Sequence, residues 1–403
     1  MRVFGLETLG IHGGMDILDR SLFSALGARP ELEVVWVTCD ENISSDPHYE
    51  TWTPFRQIYG ADPMWRRALR YARGFWQLVR RAVVEARRGP VLVHQQFVTF
   101  PLLELASMRL AQRNGVAWVL TPHETAMHHD PSRTGRLLGR MYTGADALIA
   151  LSEANREDLE RAVAGAPQTV HLVHLGHLND FRGATPWLNQ SVARDKLGLP
   201  QDARVILFQG EIRPVKGLEY LLRAMPDILR AIPQAVLVVA GRPHGMDFVP
   251  LRRLITELGI EAATRLELRF MPDSELSLYF RAADAVALPY LAASQSAACF
   301  TAYAYRRPVV VSGVGGLIGQ VQDGLTGHLV PPRESTLLAQ ALIKLLLDPA
   351  RAEAMGDRAR EWVGQTRSWT SIAAQTAQIY RTAVDRRAAA LGRSAATVTN
   401  PAP

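Results

Sequence analysis

Short, continuous apolar runs of four to six residues recur along this chain, separated by longer amphipathic stretches, and that alternation admits few folds. A strand covered on both faces of a sheet has no polar side to show, so its sequence is apolar throughout. A helix lying over such a sheet needs only one apolar stripe. The pattern therefore predicts parallel strands joined by crossover helices. In the first half the runs fall at 2–6, 32–37, 91–94, 117–121, 147–151 and 169–173. A polar, turn-rich stretch at 176–186 interrupts them and is the expected linker. The runs resume at 205–208, 235–240, 266–270, 285–288, 308–312 and 327–330, with helical patterns at 218–230, 275–283, 335–347 and 372–387. Two doubly wound α/β domains are expected, at 1–178 and 179–370, with a ligand cleft between them. A helix at 371–387 follows, and the small, polar, proline-ended residues 388–403 are expected to be disordered.

A chain of 403 residues is long enough for two cores. Its net charge of +6 points to an anionic partner, whether nucleic acid, acidic lipid or a phosphorylated metabolite. No recognition helix or RNA-binding motif accompanies the charge, so no nucleic-acid partner is expected. The two cysteines, Cys39 and Cys299, match no metal-ligand spacing and form no disulfide framework. The N-terminus lacks the basic, apolar and small-residue parts of a signal peptide, and no apolar run reaches membrane-spanning length. A cytoplasmic protein is expected. Residues 64–88 place Trp65, Leu69, Trp76, Val79 and Val83 near one helical face, with Arg66, Arg70, Arg73, Arg80 and Arg81 largely elsewhere. Burial of that apolar stripe beneath a solvated basic face is the simplest outcome. Peripheral contact with the anionic inner face of a membrane is the other.

Chemistry concentrates at Phe208-Gln209-Gly210-Glu211-Ile212-Arg213-Pro214-Val215-Lys216-Gly217, where a buried strand ends in glycine and two cations stand at the next helix start. Helix N-termini expose unpaired N–H groups and a positive dipole end, so Arg213 and Lys216 beside one form an anion site suited to a diphosphate. Ordinary surface cations would give the same spacing. The chain has no Asp-x-Asp pair, so a diphosphate would be neutralised by Arg, Lys and helix N-termini, with neither metal nor cofactor. Ser294-Gln295-Ser296 stands between another strand and helix, where it can cap the helix or face a phosphate. Gly13 and Gly14 follow the first strand and allow close backbone approach to a ligand, although a tight turn alone would explain them. His123 ends a strand at its C-terminal edge, a better functional position than most lone histidines occupy. The adjacent His128 and His129 diverge and form no metal site.

In their order these segments resemble the retaining GT-B glycosyltransferases of family 4. The similarity runs through residues 210–217, 283–290, 294–296, 302–304, 308–310, 315–317 and 323–332, and Thr121-Pro122-His123-Glu124 is similar to that family's Thr-x-His-Asp segment. The resemblance implies a GT-B fold of two Rossmann-like domains, a nucleotide-sugar donor in the second and an unidentified acceptor selected by the first. It assigns Arg213 and Lys216 to the diphosphate and leaving-group charge, and His123 to the donor sugar or reacting centre. Donor contacts follow at Gly13, Gly14, Gly210, Met271, Ser294, Gln295, Ser296 and Ala297, and the helix at 371–387 crosses back to the first domain. The chain departs from the family where a Glu-x7-Glu pair would fall, at Ala293 and Thr301, and at Gly319, where a Glu often stands. The alternative those departures raise is a non-catalytic GT-B-like nucleotide-binding or partner subunit.

Overall fold

The computed structural model describes residues 1–8, 14–39, 46–59, 62–123, 133–166, 170–178 and 188–392. The chain divides into two compact units, Met1–Gly176 with Trp369–Pro403, and His177–Ser368.

In the first unit the strands are Arg2–Leu6 (β1), Glu33–Cys39 (β2), Glu50–Phe55 (β3), Val91–Gln95 (β4), Ala117–Leu120 (β5), Ala147–Ala150 (β6) and Val170–Leu172 (β7). They form one parallel sheet in the order β3-β2-β1-β4-β5-β6-β7. Successive residues of a strand point to opposite faces, and both faces are buried. Phe4, Val35, Val37 and Trp118 enter one core with Phe75 and Leu78 of the helix Met64–Glu85. Val3, Val34, Trp36 and Val119 enter the other, with Ile372, Ala377 and Tyr380 of the helix Trp369–Ala390. That double burial is the physical origin of the unbroken apolar runs.

The apolar-run argument missed β3. Its sequence, Glu-Thr-Trp-Thr-Pro-Phe, is polar at alternate positions and only its last residue is buried, because it is an edge strand. A second correction concerns the helix Met64–Glu85. Trp65, Leu69 and Trp76 are exposed; the buried stripe is Tyr71, Gly74, Phe75, Leu78, Val79 and Ala82. A third concerns the chain's end. The last helix starts at Trp369 and continues to Ala390, past the expected onset of disorder at 388. Asp146 anchors it: its buried carboxylate accepts from Arg387 Nη2 at 2.6 Å, Trp118 N–H at 2.8 Å and Gln112 Nε2 at 3.0 Å. Residues 393–403 of the expected tail lie outside the described residues.

In the second unit the strands are Arg204–Gln209 (β8), Ala235–Ala240 (β9), Thr264–Glu267 (β10), Ala285–Leu288 (β11), Val309–Ser312 (β12) and Gly327–Val330 (β13), all parallel, in the order β10-β9-β8-β11-β12-β13. The run expected at 266–270 is a strand only as far as Glu267, where Arg269 N–H turns back onto the Glu267 carbonyl at 3.0 Å and Phe270 faces solvent. The helices Leu218–Ala231 and Ser335–Leu346 cover one face, burying Leu221, Leu222, Met225, Leu338 and Leu342.

Candidate functional site

The strand order of the second unit reverses direction between β8 and β11, and ligands of open α/β sheets bind outside the C-terminal strand ends at such a point. The loops after β8 and β11 are residues 210–217 and 289–296. Gly210 leaves β8 at φ 129°, its N–H bonded to the Ala240 carbonyl at 3.1 Å. Ile212 then pairs with the neighbouring loop through its N–H to Arg242 O and its carbonyl from His244 N–H, both 2.9 Å. This pairing sets the Glu211 carboxylate beside Arg242 (3.4 Å) and His244 (3.3 Å).

Arg213 and Lys216 precede the α-helix, which begins where the periodicity at 218–230 placed it. Pro214–Lys216 form a single 3-10 turn, closed by Lys216 N–H to the Arg213 carbonyl at 2.9 Å, and the α-helix starts at Leu218. Gly217 links the two at φ 63°, pressed so close to the loop after β11 that a Cβ would lie 2.0 Å from the Pro289 carbonyl oxygen. Leu291 N–H donates to Val215 O at 2.8 Å on the same contact. One consequence is the position of Lys216, whose ammonium lies 3.8 Å from the ring centroid of buried Tyr290. The ring's negative face holds the cation without neutralising it, leaving its charge for an anion.

Ser296 caps the helix Ala297–Ala304, its hydroxyl accepting from Cys299 N–H at 3.4 Å. Its backbone N–H is taken by Gln320 Oε1 at 2.9 Å, and Gln320 Nε2 donates back to the Ser296 carbonyl at 3.2 Å. The first-turn amides of that helix left for a phosphate are therefore those of Ala297 and Ala298. Ser294 and Gln295 precede it, half-buried. Where the family's two carboxylates would fall, the Ala293 carbonyl accepts from Gly316 N–H at 2.9 Å, and buried Thr301 donates its hydroxyl to Ala297 O at 3.0 Å. Gly319 has open space around it. Met271 is buried beside exposed Phe270.

In the first unit the order reverses between β1 and β4. Gly13 lies outside the described residues, as do Glu124, His128 and His129; Gly14 opens the helix Gly14–Gly27. His123 is buried, stacked on Phe97 at 4.4 Å, with Nε2 3.1 Å from Gln96 Oε1 and 3.7 Å from an Asp19 carboxylate oxygen. Gln96 Nε2 also lies 3.4 Å from His94 Nε2. The two nitrogens of His94 meet Thr121 Oγ1 and Tyr380 OH, each at 2.6 Å. Burial pushes the pKa of His123 down to about 3, and burial together with the nearby His123 does the same for His94. Both imidazoles are therefore neutral near pH 7, and each can donate through one nitrogen and accept through the other. His123 was legible in the sequence; Asp19, His94, Gln96 and Tyr380 were not, because only the fold brings these distant positions together. For His94 a signal existed: a histidine inside an apolar strand run demands a partner.

Among the described residues no group of three or more His, Cys, Asp or Glu side chains could hold a metal ion, and no helix is long and apolar enough to cross a membrane.

Residues 189–362 match the family described as glycosyl transferases group 1, and residues 20–176 match the glycosyl transferase 4-like domain. A D-inositol 3-phosphate glycosyltransferase of Thermobispora bispora is 34% identical over 299 residues, covering 68% of this chain and 67% of the relative. The corresponding protein of Kineococcus radiotolerans is 36% identical over 279 residues, 65% of this chain, and the match takes in 63% of its length. HepE of Anabaena, solved with UDP-glucose, superposes with a TM-score of 0.73 at 20% identity over 95% of this chain and 100% of its own, and shares the GT-B fold. With both parts matched and the relatives aligned across them, the chain belongs to the group 1 glycosyl transferases, with a glycosyl transferase 4-like first domain.

Proposed function

We propose that this protein transfers a sugar, with retention of anomeric configuration, from a nucleoside diphosphate donor to an acceptor, and does so without a metal. The observation that carries the reading is the clamped turn at the switch point of the second sheet, with the Lys216 ammonium poised over Tyr290. Charge develops on the diphosphate as the bond to the sugar breaks, and cations fixed in advance stabilise that charge without reorganising during the reaction. Arg213 and Lys216 fill this role, assisted by the first-turn amides of Ala297 and Ala298 and by close backbone approach at Gly210. Ser294, Gln295 and Ser296 complete the phosphate side, and the backbone at Met271 contacts the base. Gly13 and Gly14 are proposed to add backbone contacts to the donor. His123, neutral and held by Gln96, acts as a hydrogen-bonding group toward the donor sugar rather than as a charged acid. The protein is proposed to work in the cytoplasm, at the face of an anionic membrane.

Nucleotide release measured across UDP-, GDP- and ADP-sugars tests this, with D-inositol 3-phosphate, the compound in the relatives' names, among the acceptors supplied. Acceptor-dependent release that falls roughly a hundredfold in both Arg213→Ala and Lys216→Ala supports the proposal. Tight nucleotide binding with no release from any donor identifies a non-catalytic subunit instead, the outcome that the Ala293 and Thr301 replacements would then explain.

A further inference from the structure

The helix Met64–Glu85 carries two apolar stripes, and only one is used by the core. The second, formed by Trp65, Leu69 and Trp76, is exposed at 60%, 63% and 58%. At 3.6 residues per turn Trp65, Leu69 and Trp76 fall within roughly 40° of one another, so they make a single ridge. The same helix holds six arginines and one glutamate. Arg67, Arg70 and Arg81 are engaged, by the Ile58 carbonyl, by Gln57 O with Asp62, and by Glu50 with Glu85. Arg66, Arg73 and Arg80 form no ion pair among the described residues; Arg66 and Arg80 lie 5.2 and 5.4 Å over the rings of Trp65 and Trp76. Beside the ridge a cavity of about 500 Å³ lies between this helix and the edge strand β3, lined by Arg56, Arg70, Arg73, Trp52 and Gln77. Neither Arg56 nor Arg73 meets a carboxylate among the described residues.

We propose that this face docks on an anionic lipid bilayer, with Trp65, Leu69 and Trp76 entering the boundary between headgroups and acyl chains and the arginine cavity receiving a lipid phosphate headgroup. Indole rings favour that boundary because they are apolar at one end and can donate a hydrogen bond at the other. Guanidinium groups pair bidentately with phosphate, and anionic lipids supply it at high surface density. Nucleic acid would satisfy the arginines while leaving Leu69 in water, so the apolar ridge favours lipid. The inference rests on the proposed membrane-face location and assigns it to named residues; it does not depend on which donor is used.

Sedimentation of the full chain with vesicles decides the matter. Binding to phosphatidylcholine vesicles containing roughly a third phosphatidylglycerol, none to phosphatidylcholine alone, and weakening with added salt are expected. Trp65→Ser with Trp76→Ser, and separately Arg56→Gln with Arg73→Gln, should each lower binding at least about tenfold with an unchanged melting temperature, since all four side chains are exposed. Undiminished vesicle binding by either double variant overturns the proposal, as does retention on RNA with no vesicle binding. Nucleotide titration of the same variants should match the parent. Vesicle binding without nucleotide binding would instead sink the donor reading and leave this one standing.

Discussion

Replacing Gly217 by alanine puts the clamped turn to its sharpest test. The native φ of 63° is open to glycine and costs an L-residue roughly 1–2 kcal/mol. The added Cβ would sit 2.0 Å from the Pro289 carbonyl oxygen, whereas ordinary contact begins near 3.4 Å, so the turn or the loop after β11 must yield by more than an ångström. That movement breaks the bond from Leu291 N–H to Val215 O, worth about another 1 kcal/mol. A loss of roughly 2–4 kcal/mol is expected, since residual contact strain adds to these two. Lys216 rides on the displaced turn, and misplacing a charge-stabilising group by about 1 Å costs on the order of a hundredfold in turnover. Thermal unfolding, hydrogen exchange along β8 and β11, and nucleotide titration would report both effects. Gly319→Ala is the internal control: its Cβ meets nothing within 4 Å, and its φ lies outside the positive range, so it should stay within about 0.5 kcal/mol of the parent. A Gly217→Ala protein that melts and binds nucleotide like the parent would refute the idea that this contact sets the turn.

Lys216→Ala should reduce turnover about a hundredfold, as read by acceptor-dependent nucleotide release, while moving the melting temperature little, because the residue is only half-buried and belongs to no hydrophobic core. Asp146→Ala should destabilise by about 3–5 kcal/mol in urea unfolding, since it strands the buried Trp118 N–H and the Arg387 guanidinium together. Acid should weaken the first unit through His94 and His123. Their folded pKa values, near 3, lie below the unfolded value of 6.5, so the unfolded chain binds more protons and stability falls as pH drops below 6.5. Each contributes a loss of about 2 kcal/mol by pH 5, and melting temperatures measured from pH 7 to 5 that stay flat would contradict the buried neutral pair.

Much of this arrangement was legible beforehand, and the failures have definite causes. Ala235–Ala240, Ala285–Leu288 and Gly327–Val330 were placed residue for residue, because their boundaries coincide with a change from apolar to polar or turn-forming residues. Glu50–Phe55 escaped because an edge strand buries little and so carries little apolar signal. In the helix Met64–Glu85 periodicity reveals apolar positions on two sides, yet nothing local says which side meets the sheet. Arg213 and Lys216 stood out as candidate anion ligands through spacing after a glycine-ended strand. Tyr290, which holds Lys216, and Gln320, which takes the Ser296 amide, gave no such sign, since each acts on a segment from which it is separated in sequence.

By itself the sequence determined two parallel α/β sheets, through burial of both sheet faces, and the family, through the order of its motifs. Tertiary structure decided which stripe of the helix Met64–Glu85 remained at the surface and where each polar group found its partner. His94 and Tyr380 lie 286 positions apart and meet at 2.6 Å only because the final helix packs on the first sheet. A buried polar atom must be paired, but its partner can come from anywhere in the chain, and only packing chooses it.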